Sequence, residues 1–164
     1  MTLRLIVVLF ALFLIPSIVW AEPPAGYAFV SYNNGLRLAQ QEHKPIFVYF
    51  GRYGCGWCAK TNKEAFSHAA LHKAYADHFV LVYVDTESGK RLTLPSGENI
   101  TEMELGVRFK VFATPLFAYL EPDGKVIFKI AGIQSAKDFE NYDHFVTDGH
   151  YKLQNIREFL ARHS

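Results

Sequence analysis

The sequence predicts an α/β domain: a central mixed sheet flanked by helices, with a C-terminal antiparallel hairpin and a closing helix. Three observations carry this. Ile46 to Phe50 and Phe79 to Val84 are short, unbroken apolar runs rich in β-branched and aromatic residues, as buried strands are. Helix-compatible sequence lies between them, which favours a parallel pairing. Leu116 to Leu120 and Val126 to Ile130 flank Asp123-Gly124, a strong hairpin signal. The 164 residues are enough for one domain, half of them are hydrophobic, and 14 Phe and 9 Tyr suit sheet packing.

The N-terminus is set apart from this domain. Arg4 precedes a nearly continuous apolar run from Leu5 to Val19, interrupted at Pro16 and Ser17. Val19-Trp20-Ala21 then places small or medium residues at the −3 and −1 positions of a cleavage site. This is the pattern of a secretory signal peptide over residues 1–21, short for a membrane span of about 20 residues. The remaining domain is 22–164. The formal net charge of +1 falls to zero on losing Arg4, the only charged residue of the leader. Such a balance argues against nucleic acid as a partner, since phosphate binding leaves a basic excess.

In order along the domain, Glu22 to Gly26 is a Pro-rich leader. Tyr32 to His43 can form a helix with Tyr32, Leu36 and Ala39 on one face, although Gly35 weakens it. After the first strand, Gly51 to Gly54 turn the chain. Cys58 to Phe66 reads as helix, which Ala69 to His78 continues or restarts. Following the second strand, 86–100 is a polar insert, with a small hairpin expected to turn at Pro95-Ser96-Gly97. Thr101 and Glu104 have capping-box spacing and start a helix that ends near Lys110. After the closing hairpin and Gly132 the sequence is mixed. A last helix sets Leu153, Ile156 and Leu160 on one face.

The chemistry concentrates on Cys55-Gly56-Trp57-Cys58, at a strand-to-helix junction. These are the only two cysteines. A bridge closing so small a loop constrains little of the unfolded chain, so it is a poor staple. It suits reversible chemistry. Free N–H groups and the dipole of the helix start favour negative charge on the first sulfur, which supplies thiolate. Cys55 is thus the expected exposed nucleophile, with Arg52 and Lys60 as possible electrostatic helpers. Cys58, one turn further in, is the expected resolving thiol.

Taken together, Phe47-Val48-Tyr49-Phe50, Cys55-Gly56-Trp57-Cys58 and Ala113-Thr114-Pro115-Leu116-Phe117 resemble the thioredoxin family. Further pieces are similar to its periplasmic SoxW-like branch: Val84-Asp85, Leu94-Pro95-Ser96-Gly97, Val107 to Pro115, Asp123-Gly124-Lys125, Gly132, and Phe145-Val146 through Gly149-His150-Tyr151-Lys152. The resemblance implies a thioredoxin-like fold, a cis peptide bond before Pro115 facing the Cys pair, and substrate held beside the sulfur by the backbone of Thr114. No cofactor and no metal are expected. The chain departs from the pattern of cytoplasmic relatives. Gly54 replaces a Trp before the first Cys, Gly-Trp replaces Gly-Pro between the cysteines, and Tyr49 stands where many carry a buried acid. Trp57 reads equally as a substrate platform or as a hydrophobic cover for the sulfurs. Glu64 is expected to face solvent.

Rival readings have their own residues. Cys55-x2-Cys58 followed by His68-x3-His72 has donors of a zinc site. Against it, the segment after Cys58 reads as uninterrupted helix, with no turn to bring His68 back. His68, His72 and His78 then form a solvated face. A non-catalytic binding module would more naturally have lost a Cys. An oxidase or isomerase would use the same sulfurs in another direction. The expected direction is reductive: no charged residue lies between the cysteines, and desolvation by the Trp57 ring opposes the helix dipole. This places Cys55 nearer a pKa of roughly 7 than roughly 3.5, and the couple toward about −270 mV rather than about −120 mV. The expected partners are client proteins with disulfides or reactive cysteines, and a membrane thiol-relay protein as electron donor. The expected state is a monomer, periplasmic or secreted.

Overall fold

In the computed structural model, which describes residues 23–163, strand β1 (Ile46–Gly51) lies inside the sheet and is buried along its whole length. Its continuous apolar run follows from that position, since both faces are covered. The strand order is β2-β1-β5-β6, with β2 spanning Val80–Asp85, β5 Leu116–Leu120 and β6 Val126–Ala131. β1 and β2 are parallel, with Ile46 opposite Val80. β5 is antiparallel to both β1 and β6. The chain is therefore the thioredoxin-like α/β fold, with a mixed sheet and an antiparallel closing hairpin.

Because side chains alternate along a strand, the sheet has two different faces. Phe47, Tyr49, Leu81, Phe117, Tyr119 and Phe128 point to one. There they meet α2 (Gly56–Glu64), α3 (Ala69–His78), α5 (Ala136–Thr147) and α6 (Ile156–His163). Ile46, Val48, Phe50, Val82, Ala118 and Leu120 point to the other, where α1 (Tyr32–Glu42) and α4 (Glu102–Arg108) pack. Beyond β2 the edge is partly covered by Val30, whose N–H donates to Leu81 O at 2.9 Å and whose carbonyl accepts from Tyr83 N at 3.2 Å.

The polar insert is a hairpin, β3 (Arg91–Thr93) against β4 (Asn99–Thr101), and its turn includes Gly97 at φ +85°. Its inward residues Leu92 and Ile100 extend the aliphatic face. Thr101 and Glu104 form the expected capping box at the start of α4.

One sequence reading gains a second side and two need correction. Gly35 costs α1 helix propensity, as expected, but it also serves packing. A Cβ there would lie 2.2 Å from Val82 Cγ2, so glycine is what lets the helix approach β2. The mixed segment after Gly132 contains a full helix, α5, capped by Ser135 and Asp138 and buried through Phe139, Tyr142, Phe145 and Val146. Leu153 stands outside α6 and is 85% exposed, whereas Ile156 and Leu160 pack against the core as expected, together with the buried Phe159. The leader at 1–21 lies outside the described residues. Among the described residues no helix is long and apolar enough to cross a membrane.

Candidate active site

The register of the sheet builds the site. Phe50 on β1 pairs antiparallel with Leu116 on β5. The loop leaving β1 and the loop entering β5 therefore meet at one end of the sheet. The first delivers Cys55 and the second delivers Thr114 and Pro115. The Thr114–Pro115 peptide bond is cis, and the Thr114 hydroxyl donates to Cys55 Sγ at 3.3 Å.

Gly54, at φ +68°, occupies the left-handed region that glycine enters without strain, and it turns the chain into α2. Cys55 is the N-cap of that helix. Its sulfur takes the place of a capping oxygen and accepts the Cys58 N–H at 3.1 Å. The two sulfurs are joined as a disulfide. Cys55 and Cys58 are 3% and 2% exposed, so the expected contrast between an open nucleophile and a buried partner is absent in this oxidised state.

The groups expected to tune the pair are placed differently from the sequence reading. Trp57 is 62% exposed, so its ring stands mostly in solvent and does not seal the sulfurs. Arg52 pairs with Glu87 at 3.4 Å, and Lys60 with Glu64 at 2.6 Å on the exposed side of α2. Each cation is engaged with a carboxylate. The desolvation assigned to Trp57 comes instead from the aromatic layer beneath, where both cysteines sit with Phe66, Tyr49 and Phe117.

Tyr49, at the position of the absent acid, donates to Asn62 Oδ1 at 3.1 Å and reaches the Cys58 carbonyl at 3.5 Å. Burial and the neighbouring Tyr83 hold its pKa well above the ordinary phenol value, so it remains a donor. It ties α2 to the sheet.

The histidines have other roles. α2 and α3 are separate helices with a break at 65–68, so the helix restarts at Ala69 and the expectation of no turn before His68 does not hold. His72 Nε2 bonds Gly26 O at 2.9 Å, and its ring meets Tyr27 edge-on. His78 Nδ1 lies 2.8 Å from the buried Asp143 carboxylate and joins α3 to α5. His68 and His78 remain exposed, as the solvated-face reading expects, and His72 is half-buried; His72 and His78 make these contacts from that face. Among the described residues no group of three or more His, Cys, Asp or Glu is placed to hold a metal ion.

Two exposed aromatics near the disulfide were not anticipated. Tyr53, two residues before Cys55, is 53% exposed, and Phe112, two residues before Thr114, is 91% exposed. Together with Trp57 at the start of α2, they are exposed aromatics within a few residues of the cysteine pair or the cis-proline in sequence. No periodicity in a loop marks such exposure in advance.

A family model described as a thioredoxin-like domain matches residues 32–147. The disulfide bond reductase DsbH of Chlamydia pneumoniae is 26% identical over 102 residues, covering 62% of this chain and 60% of that protein. The match thus spans less than two thirds of the relative's own length. A thioredoxin-fold protein from Helicobacter pylori superposes with a TM-score of 0.62 at 23% identity, over 74% of this chain and 80% of that one. A putative disulphide isomerase from Bacteroides thetaiotaomicron superposes at 0.59 with 25% identity, over 77% and 98%.

Proposed function

This chain belongs to the thioredoxin-like domain family, and from that membership we propose that it is an exported thiol–disulfide oxidoreductase that reduces protein disulfides through Cys55 and Cys58. The observation that carries the reading is the environment of Cys55 Sγ. The Cys58 N–H and the Thr114 hydroxyl both donate to it. The same two donors are positioned for a thiolate, and hydrogen bonds to an ionised acceptor are the stronger kind. In the reductive direction Cys55 thiolate attacks a client disulfide and expels one client thiolate. Cys58 then attacks Cys55 Sγ, which releases the second client thiolate and closes the internal bridge.

Trp57, Thr114 and Pro115 receive the client. The exposed Trp57 ring suits a platform better than a cover, and Thr114 precedes β5, leaving its backbone at the open end of the sheet. The reducing direction is supported by two features. Arg52 and Lys60 are each paired with a carboxylate. The Chlamydia relative carries the name of a reductase. Oxidation or isomerisation remains the alternative use of the same centre.

Residues 1–21 act as a cleaved signal peptide ahead of the 22–164 domain, and the protein works in the periplasm or outside the cell as a monomer. The hairpin at Leu94-Pro95-Ser96-Gly97 accords with the SoxW-like branch. In an oxidising compartment a reductase requires electrons from a membrane thiol relay. Two measurements test the proposal. Cys58→Ser should accumulate mixed disulfides through Cys55, and Cys55→Ser should not. Equilibration with glutathione should give a strongly reducing couple; a potential near the oxidant end rejects the direction while leaving the sulfur chemistry.

A further inference from the structure

Helix α2 buries only two of its side chains, Cys58 and Thr61. They are three residues apart and so share one face of the helix. Thr61 is completely buried, yet its hydroxyl oxygen has no hydrogen-bond partner in the disulfide state. A threonine inside a helix commonly bonds the carbonyl one turn back; this one does not. The Tyr49 hydroxyl is committed to Asn62 and the Cys58 carbonyl. Buried hydroxyls are nearly always satisfied, and an orphan is costly. This cost falls one helical turn from the resolving sulfur.

We propose that the Thr61 hydroxyl is a hydrogen-bond partner for Cys58 Sγ in the dithiol form, and that it shifts the redox balance of the pair toward the dithiol. The inference rests on the reading of Cys55 and Cys58 as a cycling couple. Reduction by a dithiol donor moves two electrons to the bridge and breaks the Cys55–Cys58 bond. The donor becomes a disulfide and gives up two protons. One is taken by Cys58, and the other is released to solvent when Cys55 is left as thiolate. Cys55 retains its two donors, the Cys58 N–H and the Thr114 hydroxyl. Cys58 is left as a buried thiol, no longer bonded to the neighbouring sulfur. It can donate through S–H or accept at sulfur, and a hydroxyl has both complements. The hydroxyl is thus unsatisfied in one redox state and satisfied in the other. Thr61 is a positioning residue for the resolving thiol.

The test compares wild type, Thr61→Val and Thr61→Ser by equilibration with glutathione and by thermal melting of each redox state. Thr61→Val should move the equilibrium toward the disulfide about three- to tenfold, a tenfold change being about 30 mV for a two-electron couple. It should raise the melting temperature of the disulfide form and not that of the dithiol form. Thr61→Ser should keep the wild-type balance. Equal stabilisation of both forms with an unchanged equilibrium overturns the proposal, because the hydroxyl then does not distinguish the two states. Should Thr61→Val fail to fold, NMR of the wild type decides: a protected Thr61 hydroxyl proton should be seen only after reduction. Protection in both states, or in neither, overturns it. A wild-type pair that does not equilibrate with glutathione at all defeats the oxidoreductase reading itself, and the Thr61 proposal with it.

Discussion

On one side of the sheet, Phe47, Tyr49, Phe117 and Tyr119 interlock with Phe66, Tyr75 and Phe139 from the helices. On the other, Ile46, Val48, Val82, Ala118 and Leu120 meet Leu36, Ala39 and Leu105. The aromatic side holds its helices with directional bonds as well as area, and one of these bonds, from Tyr49, reaches the redox helix. Tyr27 donates to Phe66 O, Tyr49 to Asn62, and Tyr75 to Phe139 O at 2.9 Å. Since Tyr75 spends its proton on Phe139, Tyr119 is the donor in the 2.6 Å bond between the two phenols. On the aliphatic side α1 is set by close approach at Gly35, and the start of α4 is tied by Glu102 N–H to Lys90 O and Met103 N–H to Ser88 O. A short helix such as α2 gains little from propensity. Aromatic rings with polar tips fix both its position and its rotation, as a reactive sulfur requires.

The largest effect should come from removing the hub of the aromatic side. The Phe47 ring lies 5.0 Å from Tyr75, 5.3 Å from Tyr119 and 5.8 Å from Phe117, centre to centre. Phe47→Ala should cost about 3–5 kcal/mol by denaturant unfolding. The contrast is sharpened by Gly35→Ala on the opposite side. Alanine favours helix by about 1 kcal/mol, yet its Cβ would clash with Val82. A net loss of about 1–3 kcal/mol is expected, recovered in part by adding Val82→Ala. Once folded, Gly35→Ala should reduce disulfides at the wild-type rate, since its face does not touch the sulfurs. A stabilised Gly35→Ala would break the view that this side is limited by close approach.

The two sides also differ in how readily the sequence discloses them. The buried strands, the capping box at Thr101 and the Asp123-Gly124 hairpin are local patterns, and each forms where it was expected. The Cys55-x2-Cys58 spacing discloses the pair in the same way. Helix α5 carried a readable signal, Ser135-x-x-Asp138 followed by Phe139, Tyr142 and Val146 at helical spacing. Its three acidic residues and Asn141 obscured the pattern. Gly35 serves packing in a way its propensity does not disclose, because the neighbour that makes it necessary is far along the chain. The exposure of Trp57 and Phe112 and the burial of Thr61 depend on which loops the sheet register brings together.

The tyrosine pair separates orientation from area. Tyr75→Phe removes the donor to Phe139 and leaves the Tyr119 hydroxyl buried without its acceptor, so it should cost about 1–3 kcal/mol. Tyr119→Phe leaves the Tyr75 to Phe139 bond in place and should cost less. Equal losses would mean that the face is held by ring area and not by its polar tips.

The smallest effect is a change in the slope of stability against pH, and it reports on the aromatic side almost alone. Burial raises the pKa of Tyr49, Tyr75 and Tyr119 there, and pushes Tyr142 up to about 12; on the aliphatic side Tyr32 is raised in the same way. In the unfolded chain these phenols ionise near 10. Below that value both states hold the protons and the contribution to stability is fully present. As pH rises past 10, the unfolded state releases protons that the folded state retains, so stability falls. For Tyr142 the window runs from 10 to about 12. Tyr142→Phe should therefore flatten the alkaline slope by up to one proton within that window and leave the slope between pH 6 and 9 unchanged. Urea unfolding at half-unit steps of pH measures both. An unchanged slope above pH 10 would show that Tyr142 ionises alike in the two states, and that its end of the aromatic layer is open to solvent.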